Sequence, residues 1–252
     1  MGSVQKVNGL FIVNSFSEWN SLRKYSKAVF NIGLWESEKI FFTKYLHKDG
    51  YVLDIGCGAG RTTFGLYKMG YTNIIGVDLT PRMIENAKII FNKLNIPINF
   101  EIGDACNLSF ENNTFDGCLF SFNGIMQIPE KENRIVAMSE INRVLKKNCR
   151  FVFTTPDREK DNKRSTFWME EKRRWLEGKQ DKRIHEFGDR VTVETKRLSF
   201  LHVPDREEII ECIEKSNFKL LEDAWLLDIA DDTEDVKAFR GNCRFWAVEK
   251  CR

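Results

Sequence analysis

From about residue 50 to 155, short apolar runs alternate with stretches whose apolar positions return every three or four residues. Tyr51-Val52-Leu53-Asp54-Ile55 reads as a buried strand, with glycines directly after it and a helical stretch from Thr62 to Lys68. Asn73 to Asp78 is a second strand. Thr80-Pro81 then opens a helix, an N-cap residue followed by the proline that suits a first helical position. That helix runs to about Asn95, where Ile96-Pro97 ends it. Ile98 to Ile102 and Phe115 to Ser121 are the third and fourth strands, and Cys149 to Thr154 the fifth. Before the fifth, Ile135, Met138, Ile141, Val144 and Leu145 mark one face of a helix within Glu130 to Lys147. Strands alternating with helices in this way specify βαβ units, right-handed crossovers and a doubly wound parallel sheet, an α/β fold.

Two regions depart from that rhythm, and they set the expected organisation. Residues 1–48 precede the first strand and form an N-terminal helical cap segment, with one helix expected from Ser17 to Phe30. Residues 49–155 are the core. Residues 156–203 are an insertion that a simple doubly wound domain does not need. It opens with a charge-dense run, contains Phe167, Trp168 and Trp175, and then alternates through Arg190 to Thr195 and Leu198 to Val203 as a β-hairpin would. Residues 204–252 complete the core with a helix from Pro204 to Ser216, a strand from Phe218 to Leu226 and a last strand from Cys243 to Glu249.

Composition narrows the function classes. The chain has 252 residues, 42% hydrophobic and 30% charged, enough apolar side chains for a sizeable core. Its formal net charge is only +2, a small basic excess for a protein that neutralises a nucleic-acid backbone, so nucleic acid is not the expected partner. No stretch of the chain reads as a transmembrane helix or a secretory signal, and no membrane partner is expected. Cys57, Cys106, Cys118, Cys149, Cys212, Cys243 and Cys251 are odd in number and contain no CxxC pair. They imply reduced, buried thiols in a cytoplasmic protein, with no metal centre.

The chemistry centres on Val52-Leu53-Asp54-Ile55-Gly56-Cys57-Gly58-Ala59-Gly60. A strand entering a glycine-rich turn before a helix is a nucleotide site in general, because the glycines let the backbone approach a ligand closely. Two details argue against a dinucleotide. The pyrophosphate fingerprint requires a glycine where Arg61 stands, and Asp54, at the strand tip, would repel a pyrophosphate. A carboxylate there favours a ligand with a cationic amino group, which selects S-adenosylmethionine over NAD. Asp78 closes the second strand where an acid can accept from ribose hydroxyls, and Asp104 follows the third where it can accept from an adenine amino group.

On these residues the chain resembles the class I S-adenosylmethionine-dependent methyltransferases. Asp54 to Gly60 matches that family's first motif, Val77-Asp78 the second and Gly103-Asp104-Ala105 the third. Phe115 to Ser121 matches its fourth strand, and Arg143-Val144-Leu145-Lys146 the helix before the fifth. Asn148-Cys149 departs from the two glycines that members often carry there, at a turn remote from the cofactor. The resemblance implies a Rossmann-like sheet of seven strands, mostly parallel, with the antiparallel last strand inserted between strands five and six. It implies S-adenosyl-L-methionine as cofactor, held by Asp54, Gly56, Cys57, Gly58, Gly60, Asp78, Leu79, Asp104, Ala105 and Ser121. It also implies that Phe122-Asn123-Gly124 line the methyl-transfer site.

The acceptor is less legible. Asn123 is a candidate for orienting it, and His185 and His202 are the candidate imidazole bases. The nucleobase amino-methyltransferase tetrapeptide is absent, since Ser121-Phe122-Asn123-Gly124 stands in its place. The N-terminal segment and the 156–203 insertion are expected to wall an apolar acceptor pocket, with Trp19, Tyr25, Trp35, Trp168 and Trp175 as candidate lining. A small-molecule N- or O-methyltransferase, monomeric or homodimeric, is the leading expectation. An RNA or protein methyltransferase using the run Lys160 to Arg183 is the alternative, and a non-catalytic cofactor-binding protein the third.

Overall fold

The computed structural model describes residues 4–160, 164–194 and 197–251. Thr195, at the end of an expected hairpin strand, and Asp161, in the charged run, lie outside them.

The four residues of β1 (Val52–Ile55) are all buried, as a strand with both faces covered requires. Neighbouring positions face opposite ways. Val52 enters a cluster with Phe41, Phe42, Leu66, Phe91 and Phe245, whereas Leu53 and Ile55 enter one with Phe120, Met138, Ile141, Phe153 and Trp246. β1 pairs in parallel with β2 (Ile74–Asp78) and β4 (Phe115–Phe120). β3 (Asn99–Ile102) adds to β2, and β5 (Leu145–Thr155) to β4, both in parallel. Near the far edge, β9 (Arg244–Lys250) runs antiparallel to both β5 and β8 (Phe218–Trp225). The order β3-β2-β1-β4-β5-β9-β8 is the seven-stranded doubly wound sheet anticipated from the sequence, with its one antiparallel strand inserted before the edge.

Helices cover both faces. α3 (Glu36–Tyr45), α4 (Arg61–Lys68) and α5 (Pro81–Lys93) bury Phe41, Phe42, Leu66 and Phe91 on one side. α6 (Lys131–Val144) and α8 (Arg206–Lys215) bury Met138, Ile141, Ile209 and Ile213 on the other. Each such side chain contributes about 1.5–3 kcal/mol on burial. β5 starts directly where α6 ends, and the departure noted at Asn148 is explained there. Asn148 takes φ 59°, a left-handed conformation asparagine tolerates, beside a register shift in the β4–β5 pairing.

The N-terminal segment differs from the single helix expected. It holds α1 (Gly9–Ser17), whose Asn8 side chain accepts from the Phe11 N–H, α2 (Trp19–Asn31), and α3. The insertion forms α7 (Ser165–Leu176) and a separate two-stranded hairpin, β6 (Asp189–Glu194) with β7 (Arg197–His202). It does not stand apart from the N-terminus. Val7, Ile12 and Phe200 share a buried cluster, Ser15 Oγ donates to the Leu198 carbonyl at 2.8 Å, and the Val7 N–H to the Arg183 carbonyl at 2.9 Å. Between β8 and β9, two short helices that periodicity did not announce, α9 (Leu226–Ile229) and α10 (Glu234–Phe239), pack beside α3.

Candidate active site

β1 delivers Gly56 to Gly60 to the N-terminus of α4. Gly56 and Gly58 take φ 62° and 55°, left-handed values that glycine adopts without steric cost. Their space requirements differ. A Cβ on Gly56 would sit 2.4 Å from the Phe120 ring, so that glycine serves packing. A Cβ on Gly58 would meet nothing within 4 Å, and this open side lies on the wall of a cavity.

Asp78 ties the loop to the tip of β2. Its Oδ2 accepts from the Gly58 N–H at 2.9 Å and its Oδ1 from the Thr80 N–H at 2.8 Å. Desolvation raises its pKa against these two bonds. Asp54 is placed differently from the sequence expectation. It lies beneath the loop, off the cavity wall, where its Oδ2 accepts from the Thr62 and Thr63 hydroxyls, each at 2.6 Å. Its Oδ1 is buried without a hydrogen-bond partner, and burial pushes the carboxyl up to about 6.

Arg61, read in the sequence only as a missing glycine, is a structural pillar. Its guanidinium makes a bidentate pair with the fully buried Glu38 of α3 at 2.6 and 2.7 Å, donates to the Gly33 carbonyl at 2.8 Å and lies over the Trp35 ring. Glu38 also accepts from the Trp35 N–H and from Ser121 Oγ at the end of β4. One carboxylate thus locks the N-terminal segment, the glycine loop and the β4 tip together.

The cavity at these tips has a volume of about 340 Å³. Its wall includes Gly56, Cys57, Gly58, Asp78, Leu79, Asp104, Ala105 and Ser121, which are eight of the ten cofactor candidates. Gly60 and Asp54 are not on the wall, because the Gly60 N–H turns back to the Cys57 carbonyl and Asp54 faces α4. The wall also holds an apolar set, Ile12, Phe16, Tyr25, Met83, Phe122 and Ile128. Phe122 and Asn123 follow β4 with φ 51° and 60°, and two non-glycine residues in the left-handed region make a strained turn of the kind that gathers at functional sites.

The acid–base candidates are not brought to this cavity. Asn123 donates its backbone N–H to Thr154 Oγ1 at 2.8 Å, and its side chain is off the wall. His185 packs in the cap, its Nε2 2.7 Å from the Val7 carbonyl oxygen. His202 is fully buried, with Nδ1 2.8 Å from Asp189 Oδ1 and Nε2 2.9 Å from Glu208 Oε1 but out of line with it. Burial works to lower its pKa, and the two carboxylates outweigh that and raise it. The expected aromatic lining is corrected as well. Of Trp19, Tyr25, Trp35, Trp168 and Trp175 only Tyr25 is on the wall, and none of the described insertion residues is. Trp168 and Trp175 pack on Phe187 inside the cap, so the insertion supports α1 from behind. The residues missed, Ile12, Phe16 and Ile128, carry no motif; the first two reach the wall through the packing of α1, and Ile128 through the turn after β4.

Several cations of the basic run are paired with acids of the same run. Arg173 pairs with Glu170 and Glu177, Arg174 with Glu171, and Arg183 with Asp181. Pairs of this kind belong to a solvated helix surface. All seven cysteines are free, and among the described residues no helix is long and apolar enough to cross a membrane.

The methyltransferase domain family matches residues 46–196, from the end of α3 to the cap hairpin. The chain belongs to the class I S-adenosylmethionine-dependent methyltransferases. This methyltransferase is 35% identical over 124 residues to a demethylmenaquinone methyltransferase of Staphylococcus haemolyticus, covering 46% of this chain and 49% of that protein. The chain spans about half the length of the curated relatives it matches. Its fold is similar to that of an S-adenosylmethionine-dependent methyltransferase of Methanosarcina mazei, with TM-score 0.68 at 19% identity over 84% of this chain and 97% of that one. It is also similar to the 1,6-didemethyltoxoflavin N1-methyltransferase of Burkholderia thailandensis, with TM-score 0.59 at 14% identity over 97% and 87% of the two chains. At such identities these two likenesses concern the fold alone.

Proposed function

We propose that this methyltransferase moves a methyl group from S-adenosylmethionine to a nitrogen or oxygen of a small-molecule acceptor. The observation that carries the reading is one cavity whose wall combines the glycine loop and the β2 and β3 carboxylates with apolar residues of α1 and α2. The residues suit the cofactor on three counts. Gly58 leaves open space that a side chain would fill, Asp54 keeps a buried carboxylate oxygen without a partner, and the Arg61 cation is already neutralised by Glu38. When bound, S-adenosylmethionine supplies a methyl group already activated by its sulfonium.

In this reading the protein positions and excludes water. Asp78 would accept from the ribose hydroxyls, the loop backbone and Asp54 would favour the cationic amino-acid end, and Asp104 would accept from the adenine amino group. Phe120 and Phe122 would keep the transfer point dry. The Staphylococcus haemolyticus relative is a demethylmenaquinone methyltransferase, which agrees with a small molecule here.

Calorimetric titration of S-adenosylmethionine into wild type and Asp78→Ala, with NAD as control, tests the reading. Micromolar binding that the substitution weakens by tenfold or more, with no NAD signal, is expected. Absence of S-adenosylmethionine binding to the wild type would overturn it.

A further inference from the structure

The cavity's polar groups are almost all engaged by the protein itself. Arg61 is held by Glu38, Ser121 donates to Glu38, Thr62 donates to Asp54, and Cys106 Sγ bonds the Asn133 carbonyl. Gln127 is different. It ends the 3₁₀ turn Gly124–Gln127 after β4, lines the cavity beside Phe122 and Ile128, and its carboxamide oxygen is buried with no hydrogen-bond partner. A buried amide oxygen left unpaired costs about 1–3 kcal/mol, which a bound donor would recover.

The wall's charge and acid–base content point the same way. Among the described lining residues Arg61 is the one Lys or Arg, so no free cation stands ready to fix a phosphate or carboxylate handle. The chain has three histidines, and none lines the cavity. The wall thiols are no substitute, since burial pushes Cys106 up to about 12 and Cys57 well above its ordinary value. A carboxamide cannot take a proton at neutral pH. Apart from the groups engaged above and the two carboxylates, the wall therefore offers rings, methyl groups, the Tyr25 hydroxyl and two carboxamides, of which Asn133 already donates to the Pro129 carbonyl at 3.1 Å.

From this we propose that the acceptor is a flat, uncharged, largely apolar molecule with an N–H or O–H donor, oriented by the Gln127 carboxamide, whose nucleophilic atom needs no histidine base. The inference rests on the methyltransferase reading above and narrows its substrate class. Asp78 and Asp104 also line the cavity and are assigned to the cofactor in that reading, so they do not compete for this role.

The test uses the whole 252-residue chain saturated with S-adenosylhomocysteine, itself followed by calorimetry. Four bicyclic probes of similar size are titrated: isoquinolin-1-one and 1-naphthol, which carry a neutral donor, and naphthalene-1-carboxylate and 1-naphthyl phosphate, which are anions. The neutral pair is expected to bind at least tenfold tighter than the anions. Gln127→Leu, close in size but apolar, is expected to cost isoquinolin-1-one about tenfold, the equivalent of one hydrogen bond. If that variant melts early, Gln127→Met replaces it, and the wild-type ranking stands independently of either. Anions binding as tightly as the neutral probes, no probe binding at millimolar concentration, or a Gln127 variant with unchanged affinity would each overturn the proposal. Should S-adenosylhomocysteine bind while the ranking fails, only this inference falls. Should S-adenosylhomocysteine itself not bind, the methyltransferase reading of the cavity falls with it.

Discussion

Three carboxylates at three strand tips were visible in the sequence because strand, turn and helix follow each other at fixed short spacing, which places each acid at the same end of the sheet. Their individual environments were not visible. Asp104 is exposed and caps its own turn through the Cys106 N–H, while Asp54 is 1% exposed and half unpaired. Burial raises the Asp54 carboxyl to about 6, above the 3.8 of an ordinary aspartate. The folded, ligand-free protein therefore holds the proton more tightly than the unfolded chain, so the stability this group lends is present below pH 3.8 and lost as pH rises through about 6. A cationic ligand reverses the preference by favouring the carboxylate. Affinity for S-adenosylmethionine is thus expected to rise several-fold between pH 5 and about pH 7, with proton release on binding. Calorimetry in two buffers of different ionisation enthalpy reads both quantities. Asp54→Asn should flatten the dependence, and a wild-type affinity constant across that range would rule the coupling out.

At the scale of elements, periodicity located the sheet and its crossover helices because each has one or two continuous buried faces. The N-terminal segment resisted such a reading. α3 has little apolar asymmetry of its own, and its decisive residue is a buried glutamate whose partners, Arg61 and Ser121, lie far along the chain. A charged residue in sequence looks solvated until its partner is placed. The Glu38–Arg61 pair shows 0% and 8% side-chain exposure, so removing one partner leaves an uncompensated buried charge. Glu38→Gln is expected to cost about 3–5 kcal/mol in urea denaturation and to weaken S-adenosylhomocysteine binding, since Arg61 and Ser121 both line the cavity. Glu36→Gln is the matched control. Its pair with Lys39 is about half exposed and is worth at most a few tenths of a kcal/mol. Equal effects from the two substitutions would show that Glu38 is not the lock described.

On the scale of the whole molecule, the insertion that the sequence set against the substrate supplies none of its described residues to the cavity wall and reaches it through the elements it packs on, α1 and the Gly124–Gln127 turn. A buried charge cluster holds it in place. Arg134 of α6 donates to Glu186 at 2.9 Å and to Glu208 of α8 at 3.0 Å, and His202 on β7 lies between Glu208 and Asp189. The same histidine was a candidate base in the sequence, where nothing reveals that Asp189 and Glu208 close on it. Burial would raise the Glu208 carboxyl, but His202 and Arg134 outweigh it and bring the group down to about 2. Glu208 thus lends stability above its ordinary 4.5 and loses it only as pH falls through about 2. His202, raised above 6.5, lends stability that is complete below that pH and disappears as pH rises through the folded value. The cap should therefore be held most firmly between about pH 4.5 and 6.5. The Asp54 contribution falls away lower, by about pH 6, so the two are separable. Thermal melts of the wild type should show a midpoint that drops by roughly 2–4 °C above pH 6.5 for each kcal/mol lost, a drop absent in His202→Gln. Because α1 rests on this hairpin and supplies Ile12 and Phe16 to the cavity, binding of 1-naphthol should weaken over the same interval, while S-adenosylhomocysteine binding, assigned to the glycine loop and the strand-tip carboxylates, should weaken less. A melting midpoint that falls equally in wild type and His202→Gln would remove His202 from this role.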